Sequence, residues 1–353
     1  MRDVAIISFA QTKHVATRQD VNEVEMLMPV LVDVVEQAGV TKDRIDFVCS
    51  GSSDYLAGVA FSFVMTLDGV GPWPPISESH VDMDGSWALY EAWVKMQMGH
   101  ADVALVYSYG KSSPGNLRRV LTRQLDPYYL APLWPDSVST AALQARAALD
   151  KGVITEEQMA QVVIDARRNA LGNPNAQLAG DLELADLLAA EPFVSPLHKH
   201  DCSPITDGAA AVMLAAGDVA RELCERPAWI RGIDHRIEPH AFGARDLTTS
   251  VSTAQAAAKA GVANGKVDIA ELHAPFSHQE LILTQSLGLD AATTSINPSG
   301  GALCANPVMA AGLIRMGEAA QRIMRGEADR AVAHTTSGAC LQQNLVAVLE
   351  GEG

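Results

Sequence analysis

Positive charge is scarce in this sequence. Lys and Arg total 26 against 42 Asp and Glu, a formal net charge of −16. Nucleic-acid surfaces and polybasic membrane anchors both need clustered Lys and Arg, so neither partner class is expected. Aromatic residues make up only 5%. Cysteine is thin: Cys49, Cys202, Cys224, Cys304 and Cys340 lie far apart and form no C-x-x-C pair. That spacing argues against a zinc ribbon and a disulfide framework, and no metal site is expected. Unpaired thiols fit a reducing cytoplasm, the expected location. No apolar run approaches the roughly 20 residues of a membrane helix. Met1–Ser8 reads as a strand, not as a signal peptide.

What is present is ordinary for a folded enzyme. Hydrophobic residues are 48% and charged residues 19% of 353 positions, with 27 glycines. At roughly 150 residues per domain this is about two domains, or a single large domain built of two halves. Strand-like and helix-like stretches alternate. Val4–Ser8 and Ile45–Cys49 read as strands, and residues 22–37 as a helix with Gly39 as its cap. Ser86–Met98 reads as a helix that stops at Gly99, and Val103–Tyr107 as the next strand. Such alternation predicts helices on a largely parallel sheet. Thr140–Asp150 and Thr155–Leu171 read as two further helices.

The chain also echoes itself. Met98-Gly99-His100-Ala101-Asp102-Val103-Ala104 is matched by Arg325-Gly326-Glu327-Ala328-Asp329-Arg330-Ala331. In both, a helix ends at Gly and an Ala-Asp turn enters a buried strand. We read two similar α/β halves. Residues 1–110 with 201–222 form the first and 223–353 the second. Residues 111–200, rich in Pro, Tyr, Arg and Trp at their start, form an inserted loop or lid region.

Four segments in order carry a family resemblance: Asp201-Cys202-Ser203-Pro204-Ile205-Thr206-Asp207-Gly208, then Glu271-Leu272-His273-Ala274-Pro275-Phe276, then Asn297-Pro298-Ser299-Gly300-Gly301, then Leu341-Gln342-Gln343-Asn344-Leu345. Together they resemble the thiolase superfamily, in its sterol-carrier-protein-type or lipid-transfer-protein branch. The resemblance spans almost the whole chain. It implies an α/β thiolase-like fold of two duplicated halves in α-β-α-β-α layers, with an inserted loop domain.

The departures from the family pattern bear on chemistry. A thiolase needs a nucleophilic thiolate at a helix start. Here the stretch is His80-Val81-Asp82-Met83-Asp84-Gly85-Ser86, with Asp84 at or near the nucleophile position. The family's Gly-His-Pro reads Ala305-Asn306-Pro307, and its second Cys falls on Ala339, one residue from Cys340. Claisen thiolysis is therefore not expected. By resemblance, His273 lines the oxyanion hole that steadies a thioester enolate. Asn306 either donates to that oxyanion, orients a water, or is a plain helix cap. Asp84 is either a base or a cap carboxylate. His334 and Ser337, at the end of a strand, are further candidates. His278 reads as structural. Tyr107, Tyr109, Tyr128 and Tyr129 read as core or rim residues that could serve as acids or bases in a cleft. Ser299, Gly300 and Gly301 are the expected cofactor-binding loop.

With the thiol gone and the enolate hole kept, the implied chemistry is retro-aldol cleavage of a β-hydroxyacyl-CoA. The resemblance points to a sterol or steroid side chain, a ketone product and a short acyl-CoA such as propionyl-CoA. It also implies a homodimer and a small OB-fold, zinc-ribbon partner subunit. No cofactor is expected beyond the coenzyme A of the substrate. Two alternatives stay open: a non-catalytic acyl-CoA-binding subunit of a heteromeric complex, and a decarboxylating or hydrolytic acyl-CoA enzyme.

Overall fold

Asn22 and Glu25 close a reciprocal capping box, Glu25 N–H to the Asn22 side chain and Asn22 N–H to the Glu25 carboxylate. The first long helix starts there and ends at Gly39, whose φ of 63° only glycine adopts freely. Pro29 lies inside this helix without breaking it. The computed structural model describes residues 2–71 and 73–352.

The first half runs β1 (Val4–Gln11), α1 (Glu23–Ala38), β2 (Phe47–Gly51), α2 (Asp54–Ala57), α3 (Ser62–Val70), β3 (Ser77–Val81), α4 (Gly85–Gln97) and β4 (Val103–Lys111). Helices α5 (Leu117–Arg123), α6 (Ser137–Asp150), α7 (Glu156–Asn169) and α8 (Leu184–Leu188) follow, then β5 (Asp207–Ala216) and α9 (Gly217–Leu223). The second half runs β6 (Ala228–Ile237), α10 (Val251–Ala260), β7 (Ile269–Leu272), α11 (Ser277–Ser286), β8 (Ser295–Ile296), α12 (Gly301–Cys304), α13 (Ala311–Met324), β9 (Arg330–Ser337) and β10 (Gln343–Glu350).

The strands form one sheet in the order β3-β2-β4-β5-β1-β6-β10-β9-β7-β8. Read outward from the β1–β6 joint, both arms repeat one topology: β1-β5-β4-β2-β3 and β6-β10-β9-β7-β8. The sequence echo falls on the α4–β4 and α13–β9 junctions. Gly99 and Gly326 end the two helices with φ of 73° and 72°. The sheet is mixed, which corrects the expectation of a largely parallel one. β2 pairs in parallel with β3 and β4, and β7 with β8 and β9. The pairs β4–β5, β1–β5, β1–β6, β6–β10 and β9–β10 are antiparallel. The reason is a hairpin. β9 and β10 are joined by a short loop, so they must run in opposite directions. In the first half the corresponding β4–β5 connection carries the inserted helices α5–α8.

The strands bury both faces, so their sequences are nearly continuous apolar runs. Ile6, Val212 and Leu345 face a central layer containing α4 and α13. Their neighbours Ile7 and Met213 face α1, and Val346 faces α10 and α11. That alternation yields the layers α-β-α-β-α. Among the described residues no helix is long and apolar enough to cross a membrane.

The central layer leaves no room at certain glycines. A Cβ on Gly317 would lie 2.0 Å from the Phe9 ring, and one on Gly312 2.2 Å from Thr335 Cγ2. Gly317→Ala is expected to cost about 1–3 kcal/mol in chemical denaturation, the usual range for overpacking. Gly172→Ala, with nothing within 4 Å, is expected to stay within about 0.5 kcal/mol of the parent.

Candidate active site

The two central helices start at the same point. Asp84 is the N-cap of α4, and one of its oxygens accepts the Ser86 N–H at 2.9 Å. The same carboxylate accepts the N–H groups of Gly312 at 2.9 Å and Leu313 at 3.0 Å, at the start of α13. So one buried carboxylate caps two helix N-termini. Close approach is possible because Gly85 and Gly312 carry no side chain: a Cβ on either would lie under 3 Å from the opposite element. Met309, just before α13, adopts φ 83°, a strained conformation for a residue with a side chain. It is held there by Gly85 N–H and Ser108 Oγ, which both donate to its carbonyl, at 2.8 and 2.5 Å. Burial pushes the Asp84 carboxyl up to about 6, against the three N–H groups that favour its charged form.

Next to this junction lies an imidazole–amide pair. His273 follows β7, and its backbone N–H donates to the His334 carbonyl at 3.1 Å. Its Nε2 is 3.0 Å from Asn306 Oδ1. Asn306 Nδ2 donates to Ser203 Oγ at 3.0 Å and its N–H to Thr206 Oγ1 at 3.0 Å. The Nδ2 bond turns Oδ1 toward the imidazole, an arrangement that fits the tautomer with its proton on Nε2. Burial lowers the His273 pKa to about 4, so the ring is neutral.

Asp84, His273, Asn306, Met309, Thr336 and Ser337 share one wall of a cavity of about 1470 Å³. The inserted region contributes apolar lining, including Leu117, Leu121, Leu130, Val138 and Phe193. Two thiols face this space, Cys202 and Cys340. Burial pushes both up to about 12, so neither is a thiolate. The cavity also gathers Arg118, Arg167 and Lys199 with His200 and His240, against only Asp84 and Asp126 as acids. Among the described residues Arg167 has no carboxylate within ion-pair distance. Arg118 is paired with Asp136 at 2.8 Å, so Arg167 and Lys199 carry the basic character of the lining.

The other candidates lie elsewhere. His334 is fully buried in β9 with Nε2 3.0 Å from Asn344 Oδ1, and it does not line the cavity. It reaches the site only through its carbonyl. Ser299, Gly300 and Gly301 also lie off the cavity wall. Ser299 Oγ donates to Glu271 and accepts from Arg315, within a buried Glu271–Arg315 ion pair of 2.6 Å. Gly300 has φ 94°, and a Cβ there would meet Ala170 of the inserted region at 2.7 Å. This loop is a packing joint, and its three residues do not line the large cavity. His278 bonds Gln144 at 3.2 Å in the core. Tyr107 and Tyr109 are buried off the wall, and Tyr128 and Tyr129 are exposed. Sequence reasoning missed Ser203 and Thr206 as the supports of Asn306. Both sit in the Asp201–Gly208 segment that carries the resemblance, but nothing local marks them as partners of a residue a hundred positions later.

No protein-family model matches the chain. Among curated proteins, acetyl-CoA acetyltransferase of Methanothermobacter thermautotrophicus is 27% identical over 359 residues, covering 94% of this chain and 93% of its own length. Human sterol carrier protein 2 is 26% identical, covering 73% of this chain and 54% of that protein. The 17-hydroxy-3-oxo-4-pregnene-20-carboxyl-CoA lyase of Mycobacterium tuberculosis is 24% identical over 63% of this chain and 60% of that protein. The homologues are thiolase-superfamily proteins. Solved structures give the same fold. The structure of an Ltp2-ChsH2(DUF35) aldolase matches with a TM-score of 0.81 at 18% identity, covering 99% of this chain and 97% of that one. Human mitochondrial 3-ketoacyl-CoA thiolase in complex with CoA matches at 0.78 and 17% identity, over 100% and 98%. The chain thus has a thiolase-like fold and thiolase-type relatives, without a thiolate in its cavity.

The protonation states are directly testable. With its pKa near 4, His273 is expected to stay neutral from pH 5.5 to 8, so its ring nitrogen signals should not move in a pH series assigned with His273→Ala. Asp84 works in the other direction on stability. Its folded pKa lies above the ordinary 3.8, so the native state holds a proton that the unfolded state has lost. Stability should therefore fall as pH rises from about 4 to about 6 and level off above. Asp84→Asn should remove that contribution to the slope in denaturation midpoints.

Proposed function

We propose that this protein is an acyl-CoA-dependent C–C bond lyase that cleaves a β-hydroxyacyl-CoA by a retro-aldol reaction. One observation carries the reading: a thiolase-like cavity lined by the neutral imidazole of His273 and by no ionised thiol. A base removes the β-hydroxyl proton, the new C=O forms and the Cα–Cβ bond breaks. The electron pair passes to the thioester as an enolate, which is reprotonated at Cα. His273 Nε2–H is the donor to the enolate oxygen, and Asn306 orients it. In the free protein this N–H is spent on Asn306 Oδ1, and a thioester oxygen would compete for it. Asp84 lines the cavity and its Oδ2 accepts only the Gly312 N–H, so it is the candidate base; a pKa raised to about 6 suits that task. The basic lining suits an anionic coenzyme A substrate, and no other cofactor is invoked.

The steroid-CoA lyase among the relatives supports a sterol or steroid side chain, with a ketone and a short acyl-CoA such as propionyl-CoA as products. Residues 127–135 expose Tyr128, Tyr129, Leu133 and Trp134 beside cavity-lining Pro127, Leu130 and Pro135. An OB-fold, zinc-ribbon subunit covering this rim fits the two-protein name of the aldolase neighbour. A homodimer would form through the open edge strand β3, flanked by exposed Phe61 and Trp73. We place the protein in the cytoplasm on its unpaired thiols. A second reading, a non-catalytic acyl-CoA-binding subunit, is favoured by one fact: both Asp84 oxygens already accept helix N–H groups.

Mass spectrometry of products from tertiary β-hydroxyacyl-CoA thioesters, with and without the partner subunit, decides between them. Release of a ketone and a short acyl-CoA is expected. His273→Ala should lower kcat by about 100-fold or more, as loss of one oxyanion donor does, while substrate binding persists. No turnover with the partner bound would support the non-catalytic reading. Full rate in His273→Ala would overturn the assigned role.

A further inference from the structure

Asp201 is a buried carboxylate with no permanent cation beside it. It is 1% exposed, and among the described residues no Lys or Arg lies within ion-pair distance. Leaving such a charge uncompensated is costly. Its neighbours are two imidazoles from the same tight turn: His198 Nδ1 lies 3.1 Å and His200 Nε2 3.8 Å from Asp201 Oδ2. The two rings stack, with centroids 4.9 Å apart. One donor atom from each of the three residues lies within 4.8 Å of the others. A tetrahedral ion with bonds of about 2.0–2.2 Å holds its ligand atoms about 3.4 Å apart, between the two separations seen to Oδ2.

Two further features fit a ligand set. The other Asp201 oxygen accepts Ser277 Oγ at 2.5 Å, the kind of outer bond that fixes a ligating carboxylate. Finally, a small cavity of about 10 Å³, room for about one water, is lined by His198, His200, Asp201 and Glu156. Cys202, next in sequence, is not a ligand: its Sγ–H donates to the His198 carbonyl at 3.5 Å.

We propose that His198, His200 and Asp201 form a site for a zinc-class divalent cation, with a water in the fourth position. The donor set is nitrogen and oxygen without thiolate, which Zn²⁺ accepts readily. The site is separate from the His273–Asn306 pair, and its role follows from its position. The histidines close the inserted region, while Asp201 reaches through Ser277 to the first turn of α11. An ion there staples the insertion to the second half, and it fixes His200, which also lines the large cavity.

The test uses the full chain, stripped with a chelator and titrated with Zn²⁺ against a chromophoric competitor. One equivalent per chain is expected, with Co²⁺ in the same site giving the visible absorption of a low-coordinate ion. His198→Ala and His200→Ala should each weaken binding by more than about 100-fold, beyond what loss of an outer-shell partner costs. Zn²⁺ should raise the Tm of the parent and not that of either variant. Circular dichroism of both variants checks that they fold. Absence of stoichiometric binding would sink the proposal and leave a hydrogen-bonded His198–Asp201 pair. So would binding that survives in both folded variants.

Discussion

The Asp84 carboxylate accepts backbone N–H groups from the starts of two helices, and the cavity is built outward from that contact. Each helix N-terminus carries a partial positive charge. Two such ends brought together repel unless an anion lies between them. Asp84 is that anion, and Gly85 and Gly312 clear the space for it. The contact then fixes Met309, the wall residues around it, and the relation of α4 to α13. It also bears on the missing thiol. A cysteine at a helix start gains its low pKa from the same field. Here the field is already taken up by a carboxylate. The two thiols that do face the cavity, Cys202 and Cys340, lie away from both helix ends and are pushed up by burial.

Much of this is legible in the sequence, and the features that are not share a cause. The Gly99 and Gly326 echo is local, and it marks two junctions that occupy matching places in the sheet. Helix ends carry their own chemistry, as at Asn22, Glu25 and Gly39. Asp84 stands out because it falls where a thiolase has its nucleophile. The alternation of elements suggests a largely parallel sheet because the decisive connection, the β4–β5 hairpin, is interrupted by the inserted region. The Ser299-Gly300-Gly301 loop has the composition of a ligand cradle, yet its glycine is needed for contact with Ala170 in that same insertion. Partners far apart in the chain cannot be inferred from spacing: Asp84 meets Gly312, and Asn306 meets Ser203, only once both halves are folded.

The electrostatics of the cavity differ from those of the whole molecule, and that difference links burial to chemistry. The net charge of −16 would repel an anionic substrate from most of the surface. Arg167 and Lys199 oppose that locally. Deeper in, the same exclusion of water acts on His273. An imidazolium there would be poorly solvated, so the ring rests neutral with one N–H to give. In the proposed reaction the charge appears only as the Cα–Cβ bond breaks. A neutral donor in a buried position then gains most from the developing enolate, because the low local dielectric screens the interaction less than bulk water does. The burial that lowers the pKa of the ring thus also strengthens the one hydrogen bond on which the proposed chemistry relies.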